Sequence, residues 1–250
     1  MLTVIWSTPR TGSNWYSSYL LNQLLQQGKN AIYLRNYFGK YHLTSYQKHN
    51  SQELFYEYER GMFYKEYYLD SFTKRIQTRV VSNQRVLNSV EEEAHRIAVL
   101  DKNNLEKYPV LINQHVKNIA TDTYHYLRYK ANKNIFLYRE NIVNQLASYV
   151  VAINTQKFVS NYTSNNIIKD AEIPGEQLYN LYDRIIHWHT LDKTGCEIVK
   201  FEDLDFSIES NIKKQHATKA IDLVSDKMKD KIFQYAESYK EFLSSSDKKI

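Results

Sequence analysis

The segment Thr3-Val4-Ile5-Trp6-Ser7-Thr8-Pro9-Arg10-Thr11-Gly12-Ser13-Asn14-Trp15 decides the fold that we predict for this chain. Its first part, from Thr3 to Thr8, is β-branched and aromatic, which favours a buried strand. The turn from Pro9 to Gly12 interrupts that strand, and a helix is predicted to open near Ser13. A strand, a loop and a helix in this order are typical of an open α/β sheet, where ligands bind at the carboxyl ends of the strands.

The loop of this segment has the composition of an anion-binding turn. Gly12 permits close approach of the backbone, Arg10 supplies positive charge, and the hydroxyl groups of Thr11 and Ser13 are further donors. The N–H groups at the start of the following helix favour an anion at the same place. The loop is not a Walker loop, because it has one glycine and no Gly-Lys-Ser/Thr ending. An ordinary turn capped by Ser13 would give the same pattern.

Strands and helices alternate along the rest of the chain. Further strands are predicted at Ala31–Leu34, Val110–His115, Asn134–Tyr138 and Glu197–Phe201. Helices are predicted from Ser13 to Gly28, Asn83 to Leu100, Thr121 to Ala131, Ile142 to Thr155, and Pro174 to about Asp192, with a helical Lys-rich remainder. This alternation predicts an α/β fold with a central, mainly parallel sheet flanked by helices in a three-layer sandwich. We expect a single domain over residues 1–250, with a helical, Tyr-rich insertion at about 37–105 and a mobile loop at 156–173.

Composition excludes several classes of protein. A chain of 250 residues with 42% hydrophobic residues can bury a sizeable core. The net charge of +5 suits an anionic ligand, but no block of like charge marks a nucleic-acid-binding arm. The single cysteine, Cys196, rules out an internal disulfide and suggests neither a zinc site nor an oxidising compartment. Met1 to Trp6 is too short for a signal peptide, and no apolar run is long enough to span a membrane, so a cytoplasmic location is expected.

The loop also resembles a known motif. Thr8 to Trp15 is similar to the 5′-phosphosulfate-binding loop of the sulfotransferases that use 3′-phosphoadenosine-5′-phosphosulfate, a Pro-Lys/Arg-Ser-Gly-Ser/Thr-Thr pattern. This resemblance implies the P-loop-like sulfotransferase fold, in which the cation contacts the transferring group and the loop amides hold the 5′-phosphate. It implies donor-binding roles for Arg10, Thr11, Gly12, Ser13, Asn14 and Trp15. Asn14 departs from the usual Thr, and Trp15 matches the Trp that stacks on adenine in the cytosolic branch, although a packed Trp would look alike.

A second signature of the family is a strand ending in Arg and followed by a helix that carries a Ser, which together bind the 3′-phosphate. Ile135 to Arg139, followed by the helix that contains Ser148, resembles it. The spacing fits the bacterial branch that sulfates trehalose, where Gln145 also has a counterpart. A solvated helix face would also carry Gln145 and Ser148 on one side. A third segment, Ile198 to Leu204, is like the strand and Tyr-Glu-Asp-Leu turn found late in many sulfotransferases, where its role is mainly structural.

The resemblance indicates a catalytic base, but two positions of this sequence depart from the family's pattern. Leu111 to His115 is similar to the strand that ends in Lys-Thr-His in the cytosolic enzymes, so His115 and Arg10 are the predicted catalytic residues. Asn113 replaces the Lys of that motif. In the trehalose-type branch the base is a Glu, and the matching position here is Asn36, which cannot usefully accept a proton. A hydrogen-bonded structural histidine is the alternative for His115.

Together the segments predict transfer of a sulfuryl group from 3′-phosphoadenosine-5′-phosphosulfate to a hydroxyl acceptor, a saccharide or another small molecule, without a metal. Two alternatives stay open. One is a P-loop-like phosphotransferase, which the missing loop lysine disfavours. The other is a non-catalytic nucleotide-binding or interaction protein on the same fold, which Asn36, Asn113 and the Tyr-rich middle suggest.

Overall fold

The computed structural model describes most of the chain. The described residues are 1–27, 29, 32–35, 38, 42–46, 63–69, 76–82, 97, 100, 109–117, 119–155, 170–204 and 220–245. The chain forms two compact units, each of which is built from three separate stretches of the sequence. The first comprises Met1–Ser7, Ser13–Leu137 and Lys193–Glu197, and the second Thr8–Gly12, Tyr138–Asp192 and Ile198–Ile250. The expectation of a single domain stays a prediction.

The eight described strands form one mixed sheet. Its strands are β1 (Leu2–Ser7), β2 (Ile32–Arg35), β3 (His42–Tyr46), β4 (Phe63–Leu69), β5 (Ile76–Ser82), β6 (Val110–His115), β7 (Lys133–Tyr138) and β8 (Glu197–Lys200). Their order in the sheet is β4-β5-β3-β2-β6-β1-β7-β8. The five neighbouring strands β2, β6, β1, β7 and β8 are parallel. Strand β3 pairs antiparallel with β2 and with β5, and β5 pairs antiparallel with β4. The five parallel strands and the helices confirm the α/β prediction.

Strand β1 lies inside the parallel part of the sheet. It pairs with β6 from Leu2 opposite Val110 to Ser7 opposite His115, and with β7 on its other side. Val4, Ile5 and Trp6 are fully buried, as the continuous apolar run of a parallel strand requires. Among the parallel strands, β2 and β6 lie on one side of β1, whereas β7 and β8 lie on the other. The carboxyl end of β1, where the chain enters the loop 8–12, is therefore a topological switch point, the usual ligand site of open α/β sheets.

The Tyr-rich stretch corrects one expectation. Where the structure describes residues 37–105, most are strand residues of β3, β4 and β5 rather than helix. Phe63–Leu69 is rich in aromatic residues and Ile76–Ser82 contains four β-branched ones, which favour strands over helices. Tyrosine and charged residues also occur on helices, so composition alone did not distinguish a helix from a strand. Ile97 and Leu100 are helical, and the other residues of the predicted helix Asn83–Leu100 lie outside the described residues.

The remaining predicted elements were largely correct. The helices are α1 (Ser13–Gln26), α2 (Thr121–Lys130), α3 (Ile142–Thr155), α4 (Gly175–Thr190) and α5 (Asp226–Ser245), with short 3-10 turns at Phe201–Asp203 and Ala220–Leu223. Phe201 begins a 3-10 turn instead of ending β8. The helix α2 begins at Thr121, as predicted, with Ala120 as its N-cap. Most of the predicted loop 156–173 lies outside the described residues, but near its end Ala171 pairs with Val224.

The core of the second unit is formed mainly by α3, α4 and α5. Leu146, Leu178 and Ile232 are among its fully buried residues. His189 is buried in this unit and its Nε2 shares a 2.7 Å hydrogen bond with the Tyr239 hydroxyl, which agrees with a structural role for that histidine. No helix in the described part of the chain is both long and apolar enough to cross a lipid bilayer.

Candidate anion-binding site

Gly12 and Phe201 make a close contact that shapes the loop 8–12 of the second unit. Gly12 has a φ of +84°, a region that disfavours every residue with a Cβ. A Cβ added here would overlap the Phe201 ring, and even the ring's Cζ would be only 2.9 Å away. Glycine is therefore needed at this position for both its backbone angle and the space that the ring occupies.

Hydrogen bonds within the second unit hold the loop in its shape. Gln145 of α3 is buried, and its Nε2 donates to Thr8 Oγ1 at 2.8 Å and to the Pro9 carbonyl at 2.7 Å. Thr11 is fully buried, and its hydroxyl donates to the Thr8 carbonyl at 3.0 Å. The Thr11 hydroxyl thus stabilises the loop itself, which differs from its expected role as a ligand donor.

Arg10 contacts two other predicted donor-binding residues, Arg139 and Ser148. Arg10 Nε donates a 2.9 Å hydrogen bond to Ser148 Oγ on α3, and Arg139 Nη1 donates at 3.4 Å to the Arg10 carbonyl. Arg10 has a φ of +67°, which is uncommon for a residue other than glycine and costs about 1 kcal/mol or more. Bonds from two separate elements to its backbone and side chain therefore fix Arg10 in a strained conformation, as is common at ligand sites.

The Arg139 guanidinium is oriented but incompletely hydrogen-bonded. Its Nε is buried and has no hydrogen-bond partner among the described residues. Glu202 Oε1 is 3.8 Å from that Nε, too far for a hydrogen bond. The guanidinium carbon lies 5.2 Å from the centre of the Phe201 ring. Burial lowers the pKa of Arg139 from its ordinary value; Glu202 opposes this effect, and the positive charge of Arg10 adds to it. Arg139 nevertheless stays charged at neutral pH.

Glu202 cannot move closer to Arg139 without losing other bonds. Its Oε2 accepts the Glu140 N–H at 3.0 Å, and its Oε1 accepts the Asn141 N–H at 3.1 Å. Asn141 in turn caps α3, since its Oδ1 accepts the Asn144 N–H at 2.9 Å. The carboxylate is thus fixed at the start of α3, where a negative charge is favourable. One anchored carboxylate beside two guanidinium groups leaves an excess of positive charge, which suits an anion.

The other predicted donor-binding residues belong to the first unit. Ser13 is 5% exposed and opens α1, where its carbonyl accepts the Ser17 hydroxyl. Trp15 stacks on Tyr19, with ring centroids 5.7 Å apart and planes 6° apart. His115 ends β6 opposite Ser7 and is partly exposed.

Asn113, the residue in place of the family's Lys, is a buried member of a polar network. It is 2% exposed, its Oδ1 accepts the Ser7 hydroxyl at 3.2 Å, and its Nδ2 lies 3.5 Å from both Asn14 Oδ1 and the Tyr33 hydroxyl. The network joins β1, β2, β6 and α1 within the first unit. Asn36, where the trehalose-type base would stand, lies outside the described residues.

Sequence reasoning missed the parts of Phe201 and Glu202 in the site. Both lie in the segment that resembles the Tyr-Glu-Asp-Leu turn, which was expected to be mainly structural. Their positions are indeed structural supports, yet they support Gly12, Arg139 and the start of α3 directly. The motif that contains Phe201 and Glu202 was visible in the sequence, but a single sequence could not show which residues these two side chains contact.

Comparisons with known proteins add no family assignment. No family model, curated protein or solved structure matches the chain. Over the described ranges, no group of three or more His, Cys, Asp or Glu residues could hold a metal ion. The case for a function therefore depends on the geometry above and on the sequence resemblance.

Proposed function

We propose that this chain is a sulfotransferase that transfers the sulfuryl group of 3′-phosphoadenosine-5′-phosphosulfate to a hydroxyl acceptor, a saccharide or another small molecule. The observation that carries the proposal is the contact between Arg10, Arg139 and Ser148. Arg10 lies in a loop more than 120 residues before Arg139, at the end of β7, and Ser148, on the helix that follows. The resemblance assigns all three to donor binding, and their proximity supports that assignment.

The chemistry of the three groups suits a phosphate. Two guanidinium groups offer planar sets of N–H donors, and a hydroxyl adds another donor, so a dianion can receive several charge-assisted hydrogen bonds. An ordinary solvated surface would not bury Arg139 Nε or hold Arg10 at a positive φ. Both features have a cost in free energy, which ligand binding would offset.

In the proposed reaction the chain positions the donor and stabilises charge. Sulfuryl transfer resembles phosphoryl transfer, with a loose, in-line transition state in which negative charge develops on the leaving bisphosphate. We propose that the backbone N–H groups of the loop 8–12 bind the 5′-phosphosulfate, and that Arg139 and Ser148 bind the 3′-phosphate. His115 is proposed as the general base that takes the proton of the acceptor hydroxyl.

The first test measures donor binding. Adenosine 3′,5′-bisphosphate should raise the melting temperature, whereas ADP, ATP and 5′-AMP should raise it much less. At 100 times its Kd a ligand stabilises by about 2.7 kcal/mol, which corresponds to roughly 5 to 10 °C for a chain of this size. Equal responses to adenosine 3′,5′-bisphosphate and ATP would contradict the proposal and favour a phosphotransferase.

Variants connect this preference to the site. Arg139→Ala should abolish the preference for the 3′-phosphate. Lys240→Ala, a change of the same charge at an exposed residue of α5, should leave it intact. If both variants kept the preference, Arg139 would not bind the 3′-phosphate.

Turnover needs a separate test. Label transferred from ³⁵S-labelled donor to members of a panel of sugars and phenols would establish catalysis. His115→Ala should remove transfer while leaving the binding of adenosine 3′,5′-bisphosphate unchanged. Specific binding without transfer to any acceptor would favour the non-catalytic alternative, and full transfer by His115→Ala would refute this choice of base.

A further inference from the structure

The position of the Arg10 side chain points to a specificity role that the resemblance does not assign. In the family pattern the loop cation contacts the transferring group. Here the Arg10 guanidinium is instead bonded through Nε to Ser148 Oγ at 2.9 Å. Ser148 is one of the two residues that the proposed function assigns to the 3′-phosphate.

Several contacts keep Arg10 in this direction. The Arg10 carbonyl accepts Arg139 Nη1, and the preceding Pro9 carbonyl accepts Gln145 Nε2 at 2.7 Å. Both donors come from the strand end and the helix that carry the phosphate-binding residues. The left-handed backbone of Arg10 and its side chain are thus both bonded to these two elements.

Electrostatics agree with this placement. Arg10 is close enough to Arg139 for its charge to lower the pKa of Arg139. Two like charges repel each other, and the carboxylate near them, Glu202, is bonded to two backbone N–H groups and stays 3.8 Å from Arg139 Nε. A dianion bound between the two guanidinium groups would relieve that repulsion better than a monoanion would.

We propose that Arg10 is a specificity-determining residue for the 3′-phosphate, and that Arg10, Arg139 and Ser148 form one subsite for a phosphate dianion. This inference depends on the proposed function, since it presumes a nucleotide with phosphates on both the 3′ and 5′ positions. It removes Arg10 from the transferring group and leaves the backbone N–H groups of the loop to hold the 5′ end.

Three nucleotides distinguish whether Arg10 binds the 3′-phosphate or the 5′ end of the donor. Adenosine 3′,5′-bisphosphate carries both phosphates, 5′-AMP lacks the 3′-phosphate, and 3′-AMP lacks the 5′-phosphate. Calorimetric Kd values for each should be measured with the wild-type protein and with Arg10→Gly and Arg10→Ala. Arg10→Gly removes the side chain and also relieves the left-handed backbone, so this variant should fold at least as well as the wild type.

The expected result is a selective loss. Both Arg10 variants should bind adenosine 3′,5′-bisphosphate and 3′-AMP about tenfold or more weakly, the usual effect of a lost charge-assisted hydrogen bond, and should bind 5′-AMP as the wild type does. Arg139→Ala should show the same pattern. The double variant should lose less than the product of the two single losses, because both side chains contact one phosphate.

Two other outcomes have different meanings. If the Arg10 variants lose affinity for 5′-AMP and keep it for 3′-AMP, Arg10 serves the 5′ end and the inference is wrong, while the proposed function stands. If the wild-type protein binds adenosine 3′,5′-bisphosphate no better than 5′-AMP, the proposed function fails and the inference fails with it.

Discussion

Replacing Gly12 by alanine tests the contact on which the shape of the loop depends. Two costs add in this variant. A residue with a Cβ at a φ of +84° costs about 1 to 2 kcal/mol. The new Cβ would also overlap the Phe201 ring, and a forced rearrangement of a packed side chain typically costs about 1 to 3 kcal/mol. We therefore expect Gly12→Ala to lower the free energy of unfolding by about 2 to 5 kcal/mol.

The chain offers a matched control for this experiment. Gly195 also has a positive φ, +71°, but a Cβ added there would meet nothing within 4 Å. Gly195→Ala should therefore show the backbone cost alone, about 1 to 2 kcal/mol. The difference between the two variants measures the overlap with Phe201. Urea unfolding followed by circular dichroism gives both values, provided that the slopes agree.

A third variant separates the ring from the backbone. Phe201→Leu removes the ring edge that the new Cβ would meet, so the double variant Gly12→Ala, Phe201→Leu should lose less stability than the sum of the single changes. If Gly12→Ala costs no more than Gly195→Ala, the contact with Phe201 does not determine the loop, and the explanation given for Gly12 is wrong.

Three further predictions concern the supports of the site. Glu202→Gln should tighten binding of adenosine 3′,5′-bisphosphate several-fold at low salt and less at high salt, since a repelling charge is removed. Calorimetry at two ionic strengths measures this, and equal Kd values for variant and wild type would show that the Glu202 charge does not affect the ligand. Gln145→Ala should lower the free energy of unfolding by about 1 to 3 kcal/mol through two lost loop bonds, more than the neighbouring amide change Asn144→Ala in the same urea titration. Asn113→Lys should lower the melting temperature by several degrees because it buries a charge in a polar network, and an unchanged melting temperature would show that the position can accommodate the family's lysine.

The parallel part of the fold could be predicted because its evidence is local. β1 is a run of apolar and β-branched residues followed by a turn, and α3 shows one apolar face, so both are visible in short windows of sequence. The strands β3, β4 and β5 could not be predicted in the same way. Their tyrosine and charged residues fit a helix as well as a strand, and β3 pairs with β5 across a stretch of chain that no short window covers.

The candidate site was predicted in its members but not in its contacts. Motif spacing selected Arg10, Arg139 and Ser148, and the structure brings these three together. Motif spacing could not indicate that Arg10 bonds to Ser148, since that bond depends on the backbone angle of one loop residue. Nor could it show that Thr11 turns its hydroxyl inward to the loop. Such details are set by packing across the second unit, which no local pattern encodes.

The division of the chain makes donor binding and catalysis separate questions. The loop 8–12 follows β1 in sequence, yet it belongs to the second unit, where Gln145, Arg139 and Phe201 hold it. The contacts among Arg10, Arg139 and Ser148, on which the proposed donor binding depends, therefore lie within one compact unit. His115, the proposed base, belongs to the first unit, and its role depends on the resemblance alone. Changes in the loop supports should consequently alter nucleotide affinity first, whereas His115→Ala should alter turnover without altering affinity. A variant of α3 that changed turnover while leaving every nucleotide affinity unchanged would contradict this separation.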